Sequence, residues 1–106
     1  MTFANYMERS IIIVQDKDMS RVKVYKRGNG EMVISVDLHH LQKEEARRLV
    51  NEIIEVNHFE FSLEIIHGFH RGTVLKDMVR HELKSHRIVN RYSPQWNPGS
   101  TYLVIE

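Results

Sequence analysis

Two stripes of apolar residues at helical spacing, each flanked by short β-branched runs, constrain the fold of this chain more than any other feature. Ala46, Leu49, Val50, Ile53 and Ile54 recur on one helical face, and Leu75, Met78, Val79 and Leu83 repeat the pattern further on. Met32 to Leu38, Ser62 to His67, Ile88 to Tyr92 and Thr101 to Ile105 read as the strands around them. Strands and helices alternating in this way fold as α/β, with right-handed crossovers and a parallel pair at the sheet centre. Upstream, Val22 and Val24 alternate with polar neighbours, and Gly28-Asn29-Gly30 tolerates positive φ, so strand 21–27 is expected to pair antiparallel with strand 32–39. The order is therefore a hairpin strand followed by a β-α-β-α-β-β core, a two-layer sandwich on a mixed sheet. The last two strands, joined through Ser93-Pro94 and Asn97-Pro98-Gly99, are expected to be antiparallel. Earlier still, Phe3, Tyr6 and Met7 are expected to line a short helix, and Ile11 to Val14 to form a strand or core plug.

The 106 residues suit one domain, read as an N-terminal extension over 1–31 and the α/β core over 32–106. Cysteine is absent, which excludes disulfides, thiolate metal sites and thiol chemistry. The longest apolar run, Ile11-Ile12-Ile13-Val14, is far shorter than the roughly 20 residues a membrane helix needs. No basic region followed by an apolar stretch opens the chain, so a cytoplasmic protein without membrane contact is expected. Net charge is only +1, but it is unevenly spread. Between His70 and Tyr92, six basic residues (Arg71, Lys76, Arg80, Lys84, Arg87, Arg91) face only Asp77 and Glu82, a surplus of four. Between Lys43 and Glu60, acidic residues outnumber basic ones by two. The basic stretch suits an anionic partner; a solvated helix face explains it equally well.

In an open α/β sheet, ligands bind beyond the carboxyl ends of the parallel strands. One strand closes with Asp37-Leu38-His39-His40 and the next with His67-Gly68-Phe69-His70-Arg71-Gly72. Period-2 geometry places Asp37 and His39 on one face. Gly68 and Gly72 flank a loop in which backbone amides can approach a ligand, the following helix start attracts phosphate, and Arg71 adds a fork that fits phosphate oxygens.

Val36-Asp37-Leu38-His39 is similar to the Leu-Asp-Leu-His motif of the Smr (small MutS-related) family. Ile65-Ile66-His67-Gly68, followed by Arg71-Gly72, resembles that family's His-Gly-x-Gly-x-Gly motif. Leu75, Val79 and Leu83-Lys84-Ser85-His86 continue as its second helix does, and Tyr102 to Glu106 fits its last strand. The resemblance runs from about residue 32 to 106. It implies an α/β sandwich like the C-terminal domain of bacterial translation initiation factor three, with DNA or RNA as partner and DNA nicking or RNA cleavage as activity. The family usually has glycine where His40 and His70 stand here.

On this reading Asp37, His39 and His67 are the candidate catalytic residues. His39, held by Asp37, serves as general base, and His67 binds the scissile phosphate or protonates the leaving oxygen. Gly68, His70, Arg71, Gly72, Lys76 and Arg80 are the candidate nucleic-acid contacts. The rival reading makes Asp37 a turn cap and His67 a buried histidine satisfied by backbone, within a non-catalytic binding module. His39, His40, His67 and His70 with Asp37 carry donor types suited to zinc, yet their spacing matches no tight ligand motif, and no metal ligand is assigned. A divalent cation is expected only if DNA is cut, and no small-molecule cofactor is evident. Tyr92 and Trp96 either stack on a base or pack against the N-terminal extension.

Overall fold

The computed structural model describes the backbone of residues 2–5, 11–68 and 73–106, with side chains from Val14 onward. Among the described residues, five strands form one mixed sheet: β3 (Val22–Lys26), β4 (Met32–Asp37), β5 (Phe61–Ile66), β6 (Ile88–Tyr92) and β7 (Ser100–Ile105). Their spatial order is β3-β4-β5-β7-β6. Only β4 and β5 run parallel, with Asp37 opposite Ile66; every other neighbouring pair is antiparallel. The hairpin β3–β4 turns at Gly30, whose φ of 88° lies in the left-handed region that glycine enters freely.

Helix α1 (Lys43–Val56) supplies the crossover between the parallel strands. Its Ala46, Leu49, Val50, Ile53 and Ile54 are buried against Ile34, Val36, Leu63, Ile65 and Leu103, giving a two-layer α/β sandwich. The second helical segment departs from the regular helix expected around Leu75, Met78, Val79 and Leu83. A single α-turn, α2 (Val74–Asp77), widens into a π-turn at Met78–Glu82, where Leu83 N–H bonds Met78 O. The wider turn buries Met78, Val79 and Leu83 together. Arg91 from β6 donates to Val79 O and Leu83 O, satisfying carbonyls at the end of that turn.

The first residues also differ from expectation. Phe3 lies in a strand, β1 (Thr2–Asn5), rather than a short helix; Tyr6 and Met7 lie outside the described residues. Ile11–Val14 is a strand, β2, and pairs antiparallel with β1. A 3-10 turn at Asp16–Arg21 then leads into β3. It is fastened to α1 through Asp18, buried and bonded to Arg48 at 2.9 Å, while Arg48 also grips Glu45 and Glu52. Burying the carboxylate of Asp18 is sustainable because that guanidinium meets it directly.

Arg87 closes the other end of the sandwich. Its guanidinium donates to Ile54 O, Asn57 O and Phe59 O, and its Nε to Glu106 O. The last turn of α1 has no basic residue of its own, so Arg87 supplies both the donors and the positive charge that its carbonyls need. Arg87→Ala is expected to lower stability by about 2–3 kcal/mol, because several partly buried carbonyls lose a charged donor at once. The check is a fall in denaturant midpoint with an unchanged m-value; an unmoved midpoint would mean that water satisfies those carbonyls equally well.

Candidate active site

Because β4 and β5 run side by side in the same direction, the segments leaving them emerge at one rim of the sheet. Beyond β4 the chain makes a tight turn through Leu38, His39 and His40 before α1. Leu38 points into the core and its amide bonds Ile66 O at 2.9 Å, extending the parallel ladder by one rung. Asp37 organises the turn. A single carboxylate oxygen, Oδ1, accepts the His39 backbone N–H at 2.9 Å and the His39 ring Nδ1–H at 2.7 Å. Turn cap and histidine partner, set against each other from the sequence, are therefore one interaction. In the neutral ring, with Nδ1 donating to Asp37, the lone pair of His39 is on Nε2.

That Nε2 sits directly over Gly68. A Cβ placed on Gly68 would come within 2.8 Å of it, closer than non-bonded atoms tolerate, and Gly68 also holds a φ of +73°. Glycine is thus required twice over, for backbone shape and for the room it leaves the imidazole. The Gly68 amide, expected from the sequence to help bind phosphate, donates to Gly99 O at 2.9 Å, and that carbonyl also accepts the His67 amide at 3.0 Å. His40 occupies the left-handed region at φ 68°, which explains why glycine usually stands there in the family whose motif the sequence resembles.

His67 lies on the helix-facing side of β5 and is only 6% exposed. Its Nδ1 donates to Gly68 O at 2.8 Å, and its Nε2 meets Thr101 Oγ1 at 2.9 Å. Thr101 Oγ1 accepts Arg80 Nε–H at 3.0 Å and so directs its own hydrogen to His67. Burial holds the His67 pKa below its ordinary value; the Gly68 carbonyl opposes this, and the positive charges of Arg80 and Lys76 reinforce it. His67 is therefore a neutral histidine with both ring nitrogens engaged.

His39, His40, His67 and Gly68 line one cleft together with Lys43, Val74, Leu75 and Lys76. Lys43 is paired with Glu82 at 2.7 Å. Of the expected site residues, the structure thus brings His39, His67, Gly68 and Lys76 together, with Asp37 behind His39. Arg80 stands apart, behind Thr101 and bonded to Ser93 Oγ. His70, Arg71 and Gly72 lie outside the described residues. Among the described residues, no three histidine or carboxylate groups are placed to hold a metal ion, and no helix is long and apolar enough to cross a membrane.

Two contributors escaped the sequence reading. Arg21, sixteen residues before Asp37, donates to Asp37 O at 3.1 Å and His39 O at 2.7 Å and so clamps the turn that carries the dyad. Thr101 connects His67 to Arg80. Neither carries a local motif; only the sheet brings them near.

Two outcomes test this geometry. His40→Gly is expected to raise stability by roughly 0.5–1 kcal/mol, since relief of left-handed strain outweighs the added freedom of the unfolded chain. An unchanged or lower denaturant midpoint would show that the His40 side chain compensates for its backbone. His67 generates the second outcome. On unfolding it regains an ordinary pKa of about 6.5, so below that pH the unfolded chain binds a proton that the native chain resists. Stability is full above that pH and is lost as pH falls toward the lowered native value. His67→Gln should flatten that part of the pH–stability curve, measured by thermal melting.

A protein-family model described as Smr domain matches residues 36–104. None of the curated proteins and none of the solved structures compared with the chain matches it.

Proposed function

The chain belongs to the Smr domain family, which is associated with nucleic-acid binding and nuclease activity, and we propose that it cleaves RNA at the rim where His39 meets Gly68. The observation that carries this reading is the Asp37–His39 pair, with Nδ1 held at 2.7 Å and Nε2 left as the basic nitrogen over a glycine. That arrangement suits a general base acting on a hydroxyl laid across Gly68. In RNA the 2′-hydroxyl gives its proton to His39 Nε2, and the 2′-oxygen attacks the neighbouring phosphorus. The bond from phosphorus to the 5′-oxygen breaks, leaving a 2′,3′-cyclic phosphate, and the departing oxygen takes a proton. Lys76, in the same cleft, offsets the negative charge on the phosphoryl oxygens. Arg71 and the loop amides up to Gly72, with His70, are proposed to add donors there.

His67 keeps its one ring proton on Nδ1 against Gly68 O and accepts at Nε2 from Thr101, so the departing oxygen takes its proton from water. Its first contribution in this proposal is to hold Gly68 and Thr101 in position. DNA has no 2′-hydroxyl, so cutting it needs an activated water and, typically, a divalent ion. The donors found among the described residues do not form such a site.

Single-turnover cleavage of matched RNA and DNA, each with and without chelator, tests the reading. RNA cut in chelator to cyclic-phosphate and 5′-hydroxyl ends is the expected result. His39→Ala should slow it by roughly 10²-fold or more, and Asp37→Asn by less, since Asp37 orients the ring without touching substrate. Cutting of DNA alone, and only with metal, would overturn it. A wild-type protein that binds but never cuts favours the second reading, a non-catalytic binding module. The engagement of both His67 nitrogens favours that reading too.

A further inference from the structure

Trp96 is 86% exposed, an unusual state for the side chain with the largest apolar area. It was expected to stack on a base or pack against the N-terminal extension, and the part of that extension with described side chains, residues 14–31, leaves it uncovered. Its partner in that expectation, Tyr92, stacks instead on Tyr102 at 5.3 Å. Trp96 is held out by an ordered turn. Asn97 N–H bonds Pro94 O at 3.1 Å, Gly99 N–H bonds Asn97 Oδ1 at 3.2 Å, and Asn97 Nδ2–H bonds Ser100 Oγ at 3.1 Å. Pro94 is buried beneath it. The same turn ends at Gly99, whose carbonyl accepts the amides of both His67 and Gly68. Gly99 is three residues after Trp96, so their Cα atoms lie at most roughly 11 Å apart. On the other side of the turn, Ser93 receives Arg80.

We propose that Trp96 is a stacking platform for an unpaired base flanking the phosphate bound at the His39–Gly68 rim, so that the preferred ligand is single-stranded nucleic acid. This rests on the rim being the nucleic-acid site. The surroundings distinguish a base from a protein partner. Its neighbours in the turn, Gln95 and Asn97, are polar, which favours a single stacked ligand over the contiguous apolar area that protein docking requires. An exposed aromatic face on the turn that leads to the rim is what a stacked base needs, and bases stacked within a duplex have both faces already covered. Tyr92 has one face covered by Tyr102, so Trp96 offers the freer aromatic face of this edge.

Trp96 is the only tryptophan in the chain, so its intrinsic fluorescence reports on this one position. The probe is a 2′-O-methyl oligouridylate, which cannot supply a 2′-hydroxyl nucleophile, offered single-stranded and as a duplex with its complement. The single strand should quench Trp96 with the same midpoint as its anisotropy-measured binding, and the duplex should not quench. Trp96→Ala should weaken single-strand binding roughly 5- to 150-fold, the range for loss of one stacked base, and leave duplex affinity and melting temperature unchanged. Trp96→Tyr should restore most of the loss. Single-strand binding with neither quenching nor sensitivity to Trp96→Ala would overturn the platform and leave the rim reading standing. A wild-type protein that binds neither form would overturn both. A concentration-dependent blue shift of the emission without nucleic acid would overturn the platform by showing that a second copy covers the indole.

Discussion

Leu38 N–H reaches Ile66 O at 2.9 Å, the last rung of the parallel ladder between β4 and β5, and both strands leave their regular course just beyond it. Everything at the rim follows from those two exits lying next to each other. The first exit turns back at once and swings His39 over the second; the second keeps a glycine at the point of contact. A register slip of one residue would put the basic nitrogen over a side chain instead of open backbone. The slip is opposed from below, since it would turn either Ile34 and Val36 or Leu63 and Ile65 out of the core, according to which strand shifts.

The parallel centre, the helix between its strands and the two motif-bearing ends were legible in the sequence because each is a local pattern. Helical period marked α1, β-branched runs marked the strands, and an aspartate two residues before a histidine marked the pair. The order β5-β7-β6 was not legible, because nothing local in Thr101 to Ile105 says that it inserts between two earlier strands. The π-turn at Met78–Glu82 was equally hidden, since apolar spacing of three and four fits a wide turn nearly as well as a regular one. His67 came out more enclosed than its place in a motif suggested, because the hydroxyl that occupies its far nitrogen comes from β7.

Counting charge along the chain says how many basic residues there are and not what they bind. The basic stretch from His70 to Tyr92 suited an anionic partner and a solvated helix face equally well. Yet Arg87 and Arg91 spend their guanidinium groups on backbone carbonyls, and Arg80 on two hydroxyls. Arginine's planar fork suits that work, since one group can satisfy several divergent oxygens at an element's end. A surplus of arginine can thus mark a fold with loose helix termini as readily as a polyanion partner. Lys76, in the cleft, and Lys84, exposed, are better guides to where phosphate would meet the surface.

The insertion of β7 between β5 and β6 bears on how the molecule is born. Of the five strands, the last in chain order takes an interior place, so β6 has no sheet partner until β7 arrives. A chain emerging from the ribosome can form the β3–β4 hairpin and, once α1 and β5 follow, the parallel pair. It must then carry an unpaired β5 edge and a loose β6 until residues 100–105 are free of the exit tunnel. During that interval the half-made sheet presents a strand edge that any other extended segment could join. The final closure, with Gly99 capping the His67–Gly68 amides, completes the sheet and the rim in one event, so the rim is assembled only once folding is finished.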